Sequence, residues 1–517
     1  MGKQGRILWV DDEIDLLKSY FMFLADKGYD VEKATNGVDA LELINTQNFD
    51  IVFLDENMPG LSGLDTLSQI KQTKPNMPIV MITKNEAENI MDLAIGKKIA
   101  DFLTKPVNPS QILLALKKHL HKSTIVKEQT TSEYSSEFLQ INSQISAADS
   151  DQDFFELYRQ LTFWDLRLDE TQNELYNILM SQKEEANFAF CKYISKNYLS
   201  WFAKPESRPL MSPDIFKTQV FPFLDNGEKV FLIVIDNFRY DQWKMVQQII
   251  EEFFTIEKEM LYYSILPTTT QYARNSLMSG LMPLQIKEMY PQFWVDDTEE
   301  ESKNLYEENL IEMLLQRYRK NINFSYHKIN SSQEGEKLVE KLPQLKDNQL
   351  NVCVLNFIDM LSHSRTEMRV IKEIARSETA YRALSVNWFK YSPTLQMFKD
   401  LATSDYKVIV TTDHGTVSVN KPIKVIGDKN TTTNLRYKVG KALNYNKNEV
   451  FDVTTPQKAM LPCPNVSSTY IFAKNRNFMA YPNNYNYYAT YFKDSFQHGG
   501  ISLEEMVIPL AVLKGKN

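Results

Sequence analysis

Cysteine and histidine are both scarce in this chain of 517 residues, and each scarcity excludes something. The three cysteines, Cys191, Cys353 and Cys463, stand far apart. An odd number at such spacing builds neither a disulfide framework nor a zinc knuckle, which points to a reducing, cytoplasmic setting. No apolar run reaches the roughly 18 residues a membrane-spanning helix needs. The opening MGKQGRILWVDDE has too short an apolar stretch, closed too soon by acids, to serve as a secretory leader. Positive charge is in deficit, with 58 Lys and Arg against 66 Asp and Glu, a net −8. That argues against general affinity for nucleic-acid backbones, though not against a local positive site such as bound metal ions. What is present, 43% hydrophobic and 24% charged residues, suffices for large cores and rules out a mostly disordered chain.

Residues 1–121 alternate strand-like and helix-like runs. RILWV (6–10), VEKA (31–34), IVFL (51–54), IVMI (79–82) and DFL (101–103) read as strands. Helices are expected over 13–28, from near Gly37, after Gly63, from about Glu86 and from Pro109 to about 121. Five βα units with short connections predict a doubly wound, five-stranded parallel sheet of the flavodoxin type. Residues 122–150 are polar and rich in Ser, Thr and Gln, a linker with enough spaced apolar residues for one helix. Over 153–203, three runs with apolar residues at three and four spacings predict a small helical bundle, ended by Pro205 and Pro209. The middle segment is thus 122–208. From 209 to 517 the pattern turns to strands with long insertions. KVFLIVID (229–236), NVCVLNFID (351–359) and YKVIVTTDHG (406–415) are nearly continuous apolar runs, as in a central parallel sheet buried on both faces, and each run carries an aspartate at its end or just beyond.

Ligands of open α/β sheets gather at the carboxyl ends of the strands. In the first segment those ends carry Asp11 and Asp12, Asp55, Thr83 and Lys105. Three carboxylates meeting there repel one another unless a hard divalent cation, Mg²⁺ above all, joins them. The blocks VDDE, FLDENMPG, MIT and LTKP resemble the receiver domain of two-component response regulators. The resemblance implies that Asp55 accepts a phosphoryl group from a sensor histidine kinase and that Asp11 and Asp12 hold Mg²⁺. It also implies that Thr83 and Lys105 contact the phosphoryl group and that Phe102 is the switch aromatic.

Three of the six histidines fall in the last segment beside acids or glycines: Asp359 with His363, Asp413 with His414, and His498 in QHGG. Asp236 closes the first strand there. Mixed His and Asp donors suit Zn²⁺. PTTTQYARNSLMSG (267–280) places Thr270 as the N-cap of a helix, where a nearby cation would favour its ionised, nucleophilic form. IDNFRYDQW, PTTT, NFIDMLSH, TTDHG and QHGGISLEEMVIP resemble the PglZ branch of the alkaline phosphatase superfamily. By that resemblance Asp236, Thr270, Asp413 and His414 bind one Zn²⁺, and Asp359, His363 and His498 the other. A receiver joined through helices to such a domain resembles the PorX-like response regulators associated with type IX secretion.

The resemblance implies a response regulator whose output is a dizinc phosphodiesterase acting on nucleotide or oligonucleotide phosphodiesters, with Thr270 as nucleophile and phosphorylation driving a homodimer. The expected dimer face is about residues 86–121. Two alternatives stay open: a non-catalytic protein that docks a kinase, sigma factor or secretion component, and a phosphomonoesterase or sulfatase of the same superfamily. Arg239, Arg274, Arg436 and Lys438 are candidates for holding substrate oxygens, and Tyr272 for stacking on a base.

Overall fold

The computed structural model describes residues 5–84, 99–107, 109–120, 122–168, 174–296, 303–367, 373, 377–428, 431–465, 467–481 and 485–516. The helix expected from about Glu86 lies outside them, as does the whole of 86–98 in the expected dimer face. The chain divides into two compact units, Met1–Ser136 and Glu137–Asn517.

In the first unit, strands β1 (Gly5–Val10), β2 (Tyr29–Ala34), β3 (Ile51–Asp55), β4 (Ile79–Thr83) and β5 (Asp101–Thr104) form one parallel sheet in the order β2-β1-β3-β4-β5. This is the flavodoxin-like order with its switch point between β1 and β3. Every residue of β3 and β4 is buried, because helices cover both faces. Trp9, Phe21, Phe53 and Leu116 fill one layer, and Leu8, Ile44, Leu54 and Leu67 the other. Asn36 and Ser62 cap the helices Gly37–Thr46 and Gly63–Thr73 with their side chains. The expected helix over 13–28 is a 3-10 turn, Ile14–Leu17, followed by the helix Lys18–Asp26.

The polar segment expected to be a linker is one helix, Lys122–Ala147. Beyond it Asp151–Arg167 begins with a reciprocal Ser150–Asp153 capping box. The two runs expected as separate helices over 174–203 are one helix of 30 residues, Glu174–Ala203. The polar stretch Ser181–Glu185 between them sits on a continuous backbone rather than in a loop.

The second sheet has six strands: β6 (Lys229–Ile235), β7 (Phe254–Tyr263), β8 (Phe324–Ile329), β9 (Leu350–Leu355), β10 (Tyr406–Thr411) and a C-terminal strand, Val507–Gly515. Their order is β7, C-terminal strand, β10, β6, β9, β8. β10, β6, β9 and β8 run parallel, while the C-terminal strand is antiparallel to both its neighbours. The three apolar runs of the sequence are thus adjacent parallel strands, and their carboxyl ends share one rim. One boundary differs from expectation. β9 stops at Leu355, and Asp359 lies in the first turn of the helix Phe357–Glu367 rather than at a strand end.

Candidate active site

At the rim of the first sheet Asp11, Asp12 and Asp55 bring ligand oxygens within 4.8 Å of one another. Asp11 and Asp55 are buried and Asp12 is exposed. Lys105 Nζ lies 3.0 Å from Asp11 and 3.1 Å from Asp55. Burial opposes the lysine's charge, but hydrogen bonds and attraction to both acids outweigh it and raise its pKa. Burial also raises the pKa of Asp55, with Lys105 pulling the other way. One ammonium for three carboxylates leaves negative charge uncompensated, so the donor set fits a hard divalent cation such as Mg²⁺. Thr83 is buried and its hydroxyl donates to Glu56. Phe102 is 39% exposed.

The second rim gathers residues that follow two strands, residues of two helices, and His498. Asp236 follows β6, and Asp413 and His414 follow β10; these three ligand sets lie within 4.8 Å of one another, all buried. Asp359, His363 and His498 form a second group at the same spacing. One turn of helix sets Asp359 and His363 on one face, with Nε2 to Oδ2 at 3.4 Å. His498 Nε2 is 3.5 Å from Asp359 Oδ1. The groups adjoin, since the rings of His414 and His498 stack with centroids 4.4 Å apart.

Thr270 is the first residue of the helix Thr270–Ser279, and Thr269 rather than Thr270 is the N-cap. The one-residue shift turns Thr270 Oγ1 toward the acids. It lies 3.2 Å from His414 Nε2 and 3.4 Å from Asp236 Oδ1.

The neighbours hold this arrangement. His414 Nδ1 is 3.1 Å from the Gly415 carbonyl, and His498 Nδ1 is 3.2 Å from the Thr268 carbonyl. A carbonyl can only accept, so each ring carries its hydrogen on Nδ1 and presents a bare Nε2 to the acids, as ligating histidines do. Gly415 and Gly500 allow close backbone approach, since a Cβ on Gly415 would fall 2.0 Å from the Glu504 carbonyl oxygen. Asn237, missed in the sequence, joins the two groups. Its backbone N–H donates to Asp413 Oδ1 at 3.3 Å and its side chain to Asp359 Oδ1 at 3.1 Å. It does so at a φ of 61°, a left-handed conformation that asparagine tolerates better than most side chains. Its position directly after a strand-terminal aspartate was the available signal.

Electrostatically the site is overloaded with acid. Burial and the charge of Asp236 push Asp413 well above the carboxylate range. Asp236 itself is lowered, because Arg274 and His414 outweigh its burial. Burial and the neighbouring Asp236 raise Asp359 to about 6. Burial lowers His414 and, more strongly, His498. Asp413 Oδ2 is buried and accepts no hydrogen bond. An orphaned carboxylate oxygen, bare imidazole nitrogens and three acids around one arginine fit a pair of divalent ions with mixed N/O ligation.

The candidate substrate-binding cations are placed differently. Arg274 is 2% exposed and donates to Asp236 at 2.6 Å, to Asn356 at 3.0 Å and to Glu307, a residue sequence reasoning did not single out. It positions Asp236. Arg239 is closed in ion pairs with Asp241 and Glu378, each at 2.6 Å. Arg436 is fully buried against Glu505, 2.5 Å away. Lys438 is buried, donates to the Thr432 carbonyl at 2.7 Å and has its pKa pushed down to about 8 by burial. These groups brace the loops around the rim instead of offering free donors to it. Tyr272 is 2% exposed and packs edge-on against Trp294, Tyr437 and Tyr470, so its ring is core rather than a base-stacking platform.

Residues 215–513, more than half of the chain, match the BREX system PglZ alkaline phosphatase-like domain. The chain belongs to the PglZ family. Ahead of the PglZ domain, residues 7–117 match the response regulator receiver domain and 124–202 the PorX response regulator linker domain. The polypeptide is therefore a PorX-like fusion, a response regulator with a phosphoesterase-like domain.

Curated relatives align with the receiver part. The alginate biosynthesis transcriptional regulatory protein AlgB of Pseudomonas putida is 40% identical over 117 residues, 23% of this chain and 26% of the relative. The alkaline phosphatase synthesis transcriptional regulatory protein PhoP of Bacillus subtilis is 34% identical over 122 residues, 23% of this chain and 50% of the relative. The chain thus spans about a quarter of the length of AlgB and half that of PhoP. Among solved structures, chemotaxis protein CheY4 of Vibrio cholerae is 29% identical, with a TM-score of 0.22, covering 22% of this chain and 98% of that one. The receiver domain of NtrX from Brucella abortus is 33% identical, with a TM-score of 0.21, covering 22% and 98%. Among the described residues no helix is long and apolar enough to cross a membrane.

Proposed function

We propose that the chain is a phosphorylation-controlled, zinc-dependent phosphodiesterase of nucleotide or oligonucleotide substrates, working as segments 1–121, 122–208 and 209–517. The observation that carries the reading is Thr270 Oγ1, set at 3.2 and 3.4 Å from two members of one acid–imidazole group while the second group adjoins it. Asp236, Thr270, Asp413 and His414 would hold one Zn²⁺, and Asp359, His363 and His498 the other. Bound there, the ions would supply Lewis-acid stabilisation of phosphoryl charge and lower the pKa of the adjacent hydroxyl.

Thr270 Oγ1 attacks phosphorus from the amino end of its helix, where the helix dipole favours negative charge. The Oγ1–P bond forms as the bond to the leaving alkoxide breaks, the proton lost by Thr270 being matched by the one the departing alkoxide takes up. Water then cleaves the phosphothreonine ester, its hydroxide going to phosphorus and its proton restoring the threonine hydroxyl. Arg274 keeps Asp236 ionised and in place, and Asn237 holds Asp413 and Asp359 in register. Because Arg274 is taken up by Asp236, Asn356 and Glu307, it has no open fork for the extra charge of a monoester, which favours a diester.

A sensor histidine kinase donates the phosphoryl group to Asp55, with Mg²⁺ on Asp11 and Asp12. The relay onward is a homodimer, and the setting is cytoplasmic control of type IX secretion, with a sigma factor or secretion component as further partner. A panel of mono- and diesters tests the enzyme reading, using zinc-loaded wild type and Thr270→Ala. Turnover of a chromogenic diester should vanish in the variant while both zinc ions stay bound. Undiminished turnover removes Thr270 as nucleophile.

A further inference from the structure

A second polar cleft lies away from the acid rim. Its volume, about 460 Å³, falls in the range of small-ligand sites. One wall is a stripe of the helix Glu174–Ala203, where Phe188, Lys192 and Ser195 follow at four- and three-residue steps. The opposite wall is the turn Lys474–Asn477, with Asn420 and Lys421 beside it.

The charge in this cleft is lopsided. Lys421 is paired with Glu449 at 3.5 Å, which cancels both. Glu184, exposed on the helix, is the remaining acid of the lining. Against it stand Lys192, Lys474 and Arg476. Lys192 and Lys474 make no salt bridge with the described residues, although Asp452 lies near enough to Lys474 to oppose the fall that burial imposes on its pKa, and Arg476 spends Nε on the Ser418 carbonyl at 2.6 Å. Lys474 is half-buried, and burial lowers its pKa, so its charge is held there at a cost that an anion would relieve. The turn is also fastened to the helix. Asn475 sits at a φ of 52°, its N–H is bonded to Cys191 Sγ at 3.3 Å, and its buried Oδ1 has no donor. Phe188, four residues before Lys192 on the same face, is 67% exposed, an open flat ring next to the cations.

We propose that this cleft binds a nucleotide-sized ligand, with a phosphate group on Lys192, Lys474 and Arg476 and a planar ring stacked on Phe188. The three cations match two or three phosphate charges. The ring needs no hydrogen-bond code, because any base offers a π-face. The wall turn is tied to the acid rim: Ile501 N–H donates to the Ala473 carbonyl at 2.9 Å, three residues past His498.

Calorimetry on the zinc-loaded full chain, with AMP, ADP, adenosine and inorganic phosphate as probes, tests the site. Charge reversal at Lys192 and Lys474 should weaken AMP and ADP at least tenfold while leaving hydrolysis of a small chromogenic diester intact. Phe188→Ser, at an exposed position and so safe for folding, should weaken AMP but not inorganic phosphate. Photolabelling with 8-azido-AMP should mark peptides from 184–195 or 474–477. Labelling confined to the neighbourhood of Thr270 and His498 overturns the proposal. So does AMP affinity unchanged by either variant, or no binding of any probe.

Discussion

Two clusters of buried charge lie in the C-terminal unit, and they are built on opposite plans. In the first, Asp165, Asp241 and Glu378 meet Lys183, Arg239 and Arg382. Lys183 reaches Asp165 at 2.6 Å, and Arg382 spans Asp165 and Asp241 at 3.1 and 3.2 Å. Three acids face three bases, and the carboxylates stay ionised: Asp165, Asp241 and Glu378 are all held below their ordinary range by neighbouring cations despite burial. In the second cluster, Asp236 and Asp413 share one arginine, Arg274, while the basic groups beside Asp359 are histidines, and two of the three acids are pushed upward. A balanced cluster is architecture, here joining the helical segment to the helices Tyr240–Ile250 and Glu378–Tyr391. An unbalanced one, similarly buried, fits divalent cations as the missing counter-charge, with protonation of Asp413 the way it is relieved without them.

That contrast can be broken at either end. Arg382→Met leaves Asp165 and Asp241 undercompensated and should cost about 3–5 kcal/mol in a denaturant titration. Zinc content per folded chain should not change. A variant that loses zinc while keeping its stability would mean the two clusters are not separable.

His498→Ala should do the reverse. It should lose one of two ions and slow diester hydrolysis about a hundredfold, or about 3 kcal/mol. Anomalous scattering would count the ions, and full occupancy of both sites would make His498 structural.

The receiver offers a third test, because its acids resemble the unbalanced cluster and would gain their counter-charge from Mg²⁺. Beryllofluoride with Mg²⁺ should shift wild type from monomer to dimer in light scattering. A tenfold tightening, about 1.4 kcal/mol, is enough to register. Asp55→Ala should not respond, and wild type that stays monomeric at tens of micromolar, where an association of roughly −8 kcal/mol would show, contradicts the switch.

The smallest effect concerns a histidine in neither cluster. Burial, with the charge of Lys341 adding to it, lowers His327 on β8 to about 4. The unfolded chain then takes up the proton first. Stability from this group is complete above about pH 6.5 and is lost as pH falls toward 4. His327→Gln should flatten that part of the stability curve, and an unaltered slope would show that the group is not buried in solution.

Much of the acid rims was legible because ligand chemistry needs particular residue types at strand ends. Asp11, Asp12, Asp55, Thr83 and Lys105 could be placed from strand boundaries alone, as could Asp236, Asp413 and His414. Asp359 could not. NVCVLNFIDM is apolar without interruption, so the passage from β9 into a buried helix leaves no periodicity break to read. The N-cap was off by one because three successive threonines are equally suited to it. Arg274, Arg239 and Arg436 read as free donors because their partners are remote or ambiguous in sequence. Arg436 and Glu505 are 69 residues apart, and Arg382 and Asp165 are 217 apart. Pairing that balances one cluster and leaves acid in excess in the other is a property of the fold, invisible until distant segments are brought together.

The most direct test of the central claim is a metal count made alongside activity on Thr270→Ala. The account predicts two zinc ions per chain in wild type and in the variant, with diester turnover only in wild type. One ion or none in wild-type protein that turns over the diester, or full turnover by the variant, would contradict it.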